Sequence, residues 1–360
     1  MKNVAIIGPF PDPIHGMSLA NQMLFNKFGS DENIVVSKFD IALSRKLKSK
    51  HLQGKLTLFN TLLAVSNLVK LCFYILNHRG WVFYITPPQS VLGYLRLLPA
   101  IVLCGILGSR LVVHFHGSVF ISNIEKANPL LRTIIKWSFS FIDSVVLLGN
   151  SIYRTHKCIF EKNDIEVCLN GVPEPKNHLK EYDKEKITVL FLSNLMKDKG
   201  IIDFLGAIGN LDSSRYHVDI AGAIEEHNYD VIKSKLSQLD FMATYHGVVS
   251  GEEKSKLFHK ADVFVLPSYD EGQPLSILEA YSYGNTVITT DVGGIPDIFT
   301  DGKNGVFCQV GDSMSIFSAI TGLDSKKLNL FSENNLIAYE SNYTSDAFCQ
   351  RVQSILWKDG

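Results

Sequence analysis

The sequence has no C-x-x-C pair, no Asp-x-Asp anywhere and no His/Cys cluster at metal-ligand spacing. It also lacks low-complexity segments and short repeats, and its formal net charge is only -1 over 360 residues. Each absence excludes something. The six cysteines (Cys72, Cys104, Cys158, Cys168, Cys308, Cys349) lie far apart in mostly apolar surroundings. They read as reduced core thiols, not as a disulfide framework or metal ligands. Without a ligand cluster, no metal ion is needed to hold an anionic ligand.

Long apolar runs are scarce as well. The longest, VLGYLRLLPAIVLCGILG (91–108), approaches membrane-spanning length but contains Arg96 and Pro99. It reads as a helix buried against a sheet, with a shallow membrane contact left open. The N-terminus, MKNVAIIGPFPDPIHG, has one lysine and only a short apolar run before Gly8. That is not a signal-peptide pattern, and the chain is expected in the cytoplasm.

What is present is a chain with 46% hydrophobic residues, enough for a large core and by length roughly two domains. Charge is unevenly spread: residues 1–175 carry 18 Lys+Arg against 10 Asp+Glu, and the remainder 17 against 26. Short β-rich runs alternate with helical stretches, as in VAIIG then MSLANQMLFNKF, and LVVHFHG then LLRTIIKWSFSF. Such βα repetition predicts a parallel sheet covered on both faces. The pattern pauses at PEPKNHLKEYDKEK, a polar, charged, proline-containing stretch that marks a linker, and a second βα series follows. The expected fold is α/β with two doubly wound, Rossmann-like parallel-sheet domains facing a central cleft. The domains are expected at 1–172 and 187–340, joined by a linker at 173–186, with a helix at 341–360 packing back on the N-terminal domain.

Candidate site residues cluster at strand ends. DVFVLP (262–267) reads as a buried strand, and Pro274 suits the first turn of the helix after it. Glu271 then sits in a strand-to-helix loop. On that helix Glu279 shares a face with Leu275, Leu278 and Ser282, so it points inward or into a cleft. A carboxylate there needs hydrogen-bond donors, from the protein or from a ligand. These two residues alone leave open whether they bind a ligand or are simply satisfied structural acids. Elsewhere GPFPDPIHGMS places Gly16 just before a helix, where backbone amides can approach an anion. LSNLMKDKGI puts Asn194, Lys199 and Gly200 in the corresponding loop of the second half, and DVGGIPD leaves Gly293 and Gly294 nearby.

The run LPSYDEGQPLSILEAYSYGNTVITTDVGGIPDIFTDGKNGVF resembles the nucleotide-recognition signature of retaining group 1 glycosyltransferases (glycosyltransferase family 4), in which two glutamates are separated by seven residues. LNGVP, LSNLMKDKG and VVHFHG fall in that family's order. The resemblance covers nearly the whole chain and is strongest over about 187–312. It implies the GT-B fold and transfer of a sugar from a nucleotide diphosphate sugar, UDP- or GDP-linked, to an acceptor hydroxyl with retained configuration. No separate cofactor is implied. By position, Glu271 would face the donor sugar hydroxyls and Glu279 the ribose hydroxyls, while Lys199 would stabilise the diphosphate. Backbone amides around Pro274, Leu275 and Ser276 would lie near the sugar and phosphates. His116 and Gly117 would meet the donor sugar from across the cleft. Asn194 stands where the family usually has an arginine, Gln273 where an aromatic or cysteine is common, and Asp297 where a glutamate is common.

The acceptor, a glycan or lipid-linked species, is expected on the basic N-terminal half. LSRKLKSKHLQGK (43–55) offers Arg45, Lys46, Lys48, Lys50 and Lys55 to anionic lipid, and Leu43, Leu47, Leu52 and Leu56 could dip into the interface. Together with this segment, the family resemblance implies an enzyme of bacterial surface-polysaccharide assembly at the inner membrane face; a solvated charged surface is the alternative. Nucleic acid is not an expected partner, since the basic stretch lacks interleaved aromatics. Two other readings stay open: a nucleotide-sugar epimerase using His15, His114 and His116, and a donor-binding subunit weakened by Asn194.

Overall fold

Strand β1 (Lys2–Gly8) shows why the chain folds as it does: Val4 and Ile6 face one side of a sheet while Ala5 and Ile7 face the other, and all four are buried. A strand covered on both faces must be apolar where it is covered, and this one is from Val4 to Ile7. The computed structural model describes residues 1–12, 16–42, 58–117, 119–156, 159–160, 164–175, 186–239 and 241–358. They form two units, 1–170 with 346–360, and 171–345.

In the first unit β1 is followed by α1 (Gly16–Gly29), β2 (Ile34–Asp40), α2 (Leu58–Asn77), β3 (Val82–Ile85), α3 (Val91–Leu95), α4 (Leu98–Ile106) and β4 (Leu111–Phe115). Then come α5 (Val119–Lys126), α6 (Pro129–Ser138), β5 (Ser144–Leu147), α7 (Asn150–His156) and β6 (Asp164–Val167). The strands make a parallel sheet in the order β2-β1-β3-β4-β5-β6. One face packs on Leu71 and Ile75 of α2, Ile101 and Cys104 of α4, and Ile135 of α6. The other packs on Leu24 and Phe28 of α1, and on Phe348 and Val352 near the C-terminus.

The second unit runs through β7 (Ile187–Leu192), α8 (Ile201–Ile208), β8 (Tyr216–Ala221), α9 (Tyr229–Gln238), β9 (Ala243–Tyr245), α10 (Gly251–Lys260) and β10 (Val263–Leu266). It continues with α11 (Leu275–Ser282), β11 (Thr286–Thr289), β12 (Gly305–Phe307), α12 (Ser313–Thr321) and α13 (Ser325–Ala338). Its parallel sheet has the order β12-β11-β10-β7-β8-β9. Both units are doubly wound, the GT-B fold class.

Three boundaries differ from the sequence expectation. The stretch 91–108 is not one helix: the chain turns at Arg96–Leu97, and Pro99, which cannot supply an amide inside a helix, sits in the first turn of α4 instead. Pro274 is the N-cap of α11 and lies outside its first turn. The final helix, α14 (Ser345–Leu356), begins later than 341, because a π-helical turn (Tyr339–Tyr343) keeps the chain with the second unit, where the Tyr343 carbonyl accepts from the Val172 amide. The expected linker at 173–186 and the basic run at 43–56 lie wholly or mostly outside the described residues. Among the described residues, no helix is long and apolar enough to cross a membrane.

Candidate active site

In the second sheet the connections run outward in opposite directions from β7 and β10, which makes the crevice between them the topological switch point. Open α/β sheets bind ligands beyond the carboxyl ends of their strands at such a point. The loop after β7 carries Lys199 and the loop after β10 carries Glu271. Their side chains meet there, Nζ to Oε1 at 2.7 Å.

Local geometry explains how two loops converge so closely. Lys197–Lys199 form one 3-10 turn, ended by Gly200 at φ 74, a left-handed conformation open to glycine. A Cβ on Gly200 would fall on the Pro267 carbonyl, so glycine lets the β7 loop lie directly against the end of β10. The Tyr269 amide then donates to the Asp198 carbonyl at 2.9 Å, and the Tyr269 hydroxyl to Asp203 at 2.9 Å. On the other side Gly293, at φ 54, approaches the Glu271 carbonyl so nearly that a Cβ would collide with it. That carbonyl accepts from the Gly294 amide at 3.0 Å. The Ser268 hydroxyl donates to Glu271 Oε1 at 2.8 Å, and Thr290 in turn donates to the Ser268 carbonyl at 2.6 Å. Glu271, 9% exposed, is therefore held by Lys199 from the β7 loop, Ser268 from its own loop and Gly294 from the loop after β11.

Glu279 is placed by α11. Its helix neighbours Leu278 and Ser282 are buried, as expected, but the carboxylate does not lack a protein donor: Lys254 Nζ, from the first turn of α10, reaches its Oε1 at 2.6 Å. Of the two sources of donors left open for this carboxylate, the protein supplies this one. Nothing within α10 marks Lys254 among its other lysines, because only the packing of α10 beside α11 selects it. Pro274, the N-cap of α11, has no side chain that could cap the amides of Leu275 and Ser276. Gln273, just before, is buried. Asn194 is exposed in the β7 loop, and its carbonyl closes a turn with the Met196 amide at 2.8 Å.

The remaining candidates lie in the first unit. Gly16 is the first residue of α1. His116 follows β4, half-buried, its ring 4.0 Å from that of His114. His114 is buried, and its Nδ1 lies 2.6 Å from the Tyr84 hydroxyl. Burial first, and then the neighbouring His116, hold the His114 imidazole well below its ordinary pKa, so it is neutral at physiological pH. His15 lies outside the described residues. Burial pushes the thiols of Cys104, Cys308 and Cys349 up to about 12, which makes them packing groups at neutral pH.

A basic and an acidic side chain paired at the switch point of a doubly wound sheet, with an uncapped helix start beside them, define a site for an anionic, hydroxyl-rich ligand. Residues 174–335 match the family model described as glycosyl transferases group 1. The chain is 28% identical over 200 residues to a 41.2 kDa protein of the cps region of Klebsiella pneumoniae, a match that covers 52% of this chain and 53% of that protein. It is 25% identical over 249 residues to the N,N'-diacetylbacillosaminyl-diphospho-undecaprenol alpha-1,3-N-acetylgalactosaminyltransferase of Campylobacter jejuni, covering 65% of this chain and 66% of that one. The chain thus spans about half the length of the first relative and just under two thirds of the second. Among solved structures, Anabaena HepE in complex with UDP aligns over 100% of both chains with a TM-score of 0.76 at 16% identity. The lipopolysaccharide outer core galactosyltransferase WaaB aligns over 99% of both at 0.72 and 15%. At these identities the likeness is one of fold.

Proposed function

We propose that this protein transfers a glycosyl unit from a nucleotide diphosphate sugar to an acceptor hydroxyl, with retention of configuration and without a metal ion. The observation that carries this is the Lys199–Glu271 pair at the β7/β10 switch point. Without donor, each charge serves as the other's partner. When donor binds, Lys199 turns to the diphosphate and Glu271 to the sugar hydroxyls, so the pair keeps both side chains oriented beforehand. As the glycosidic bond breaks, negative charge builds on the diphosphate, where the Lys199 ammonium and the amides at the start of α11 stabilise it. Glu279, steadied by Lys254, takes the two ribose hydroxyls as donors. Asn194 contributes no charge, which leaves Lys199 and the amides to hold the leaving group. His116 is assigned to the donor sugar.

The Campylobacter jejuni relative is named for a substrate linked to diphospho-undecaprenol, which supports a lipid-linked acceptor and work at the inner face of the membrane. UDP is the first base to test, since HepE was solved with UDP and with UDP-glucose. The test is thermal shift and calorimetry with UDP-, GDP-, ADP- and dTDP-sugars in chelator, on wild type and Glu279→Ala. Stabilisation by one nucleotide, lost in the variant, is expected; none by any nucleotide would overturn the proposal. Anomer analysis of the product decides retention.

A further inference from the structure

Helix α2 is apolar on two opposite faces. Leu71 and Ile75 are buried in the core of the first unit. On the other side Leu62, Val65, Val69 and Phe73, spaced three, four and four residues apart, form one stripe in solvent, with Phe73 63% exposed. A helix held to a core by one face has no folding reason to carry such a stripe on the other. The stripe continues over the same layer. Helix α4 packs between α2 and α6 and exposes Ile106, and α6 exposes Leu130 and Trp137, the latter 53% accessible.

Charge on this layer has one sign. Helices α2, α4 and α6 carry three basic residues, Lys70, Arg132 and Lys136, and no acid. Lys70 borders the α2 stripe, and Arg132 and Lys136 are exposed on α6 beside Trp137. A protein partner would ordinarily be met by mixed charge around an apolar patch. Apolar side chains interleaved with cations, almost without acids, instead match the boundary between anionic headgroups and acyl chains.

We infer that the outer faces of α2, α4 and α6 form a seat for an anionic lipid bilayer, separate from the 43–56 segment. This deepens the membrane contact of the proposed function by assigning its surface. Phe73 and Trp137 enter the boundary region, and Lys70, Arg132 and Lys136 pair with lipid phosphates.

The test is flotation of the full chain with phosphatidylcholine vesicles, with and without phosphatidylglycerol. Wild type should bind the anionic vesicles and weaken with salt, each basic residue accounting for roughly fivefold in partitioning. Val69→Ser/Phe73→Ser should weaken binding about tenfold or more. Because both positions are exposed, its melting temperature and any donor-induced shift should not change. Binding by the variant equal to wild type, equal wild-type binding to neutral vesicles, or no binding by wild type would each overturn the inference. So would loss on charge reversal within 43–56 while the α2 variant still binds. A wild-type dimer on gel filtration that the α2 variant dissolves would overturn it in favour of self-association. None of these readouts uses glycosyl transfer, so failure of the lipid seat and failure of the proposed reaction are told apart.

Discussion

Replacing Lys199 with alanine would leave the Glu271 carboxylate, 9% exposed, with the Ser268 hydroxyl as its remaining side-chain partner among the described residues. Breaking a fully buried ion pair costs about 3–5 kcal/mol, and an exposed one about 0–1. Lys199 keeps 26% of its side chain in solvent, which places this pair between those limits, at about 1–3 kcal/mol. For a unit of this size each kcal/mol moves the melting temperature by about 2–4 °C, so Lys199→Ala should melt several degrees below wild type. Adding Glu271→Gln removes the stranded charge and should recover most of that loss, since an unpaired amide is far cheaper to bury than an unpaired carboxylate. Turnover should behave otherwise. Losing the cation at the diphosphate costs about 3 kcal/mol in the transition state, roughly a hundredfold in rate, and neutralising Glu271 does not replace it. The assay is a two-by-two cycle of wild type, both single variants and the double, each measured for melting temperature and for release of nucleotide diphosphate. Recovery of turnover together with stability in the double variant, or wild-type turnover in Lys199→Ala, would refute the reasoning and reduce the pair to a structural one.

Gly293→Ala should destabilise by about 2 kcal/mol or more, because alanine is strained at φ 54 and its Cβ meets the Glu271 carbonyl; urea denaturation measures this, and donor binding should fall with it. At Asp219, burial acts to raise the carboxyl pKa, but hydrogen bonds from His246 and Lys260 outweigh it and hold the folded-state value below 3.8. Its stabilising contribution is therefore present above the unfolded value and is lost as pH falls through the folded one, and Asp219→Asn should flatten the acid limb of the melting-temperature profile. His114 is likewise depressed, below 6.5, so stability should decline as pH falls under 6.5 toward the folded value. In His114→Phe that slope should disappear, on a lower baseline because the Tyr84 hydroxyl loses its partner; an unchanged slope would exclude His114 as its source. Asn194→Arg, at an exposed position in the Lys199 loop, should tighten donor binding about fivefold by calorimetry, through one added charge-assisted contact to the diphosphate.

Much of the fold was legible in the sequence because it rests on local pattern. Runs such as VAIIG and DVFVLP are apolar at successive positions only because their strands are covered on both faces, and their alternation with helices implies parallel sheets. The same holds for the placing of Lys199 and Glu271 in strand-end loops and of Glu279 on the helix that follows. Finer boundaries were less legible. The helix break at Arg96–Leu97 and the N-cap role of Pro274 turn on a single residue's backbone geometry, which hydrophobic pattern does not encode. The partners of the site were not legible at all. Lys199 and Glu271 are 72 positions apart and Lys254 and Glu279 are 25 apart, and each pair forms only because non-sequential strands or neighbouring helices are brought side by side. Exposure follows the same rule. From sequence, Leu71 and Phe73 are two apolar residues of one helix, but docking of α2 on the sheet buries the first and leaves the second in solvent. Composition and period determine which elements form, whereas long-range packing decides which charges meet and which apolar faces remain uncovered.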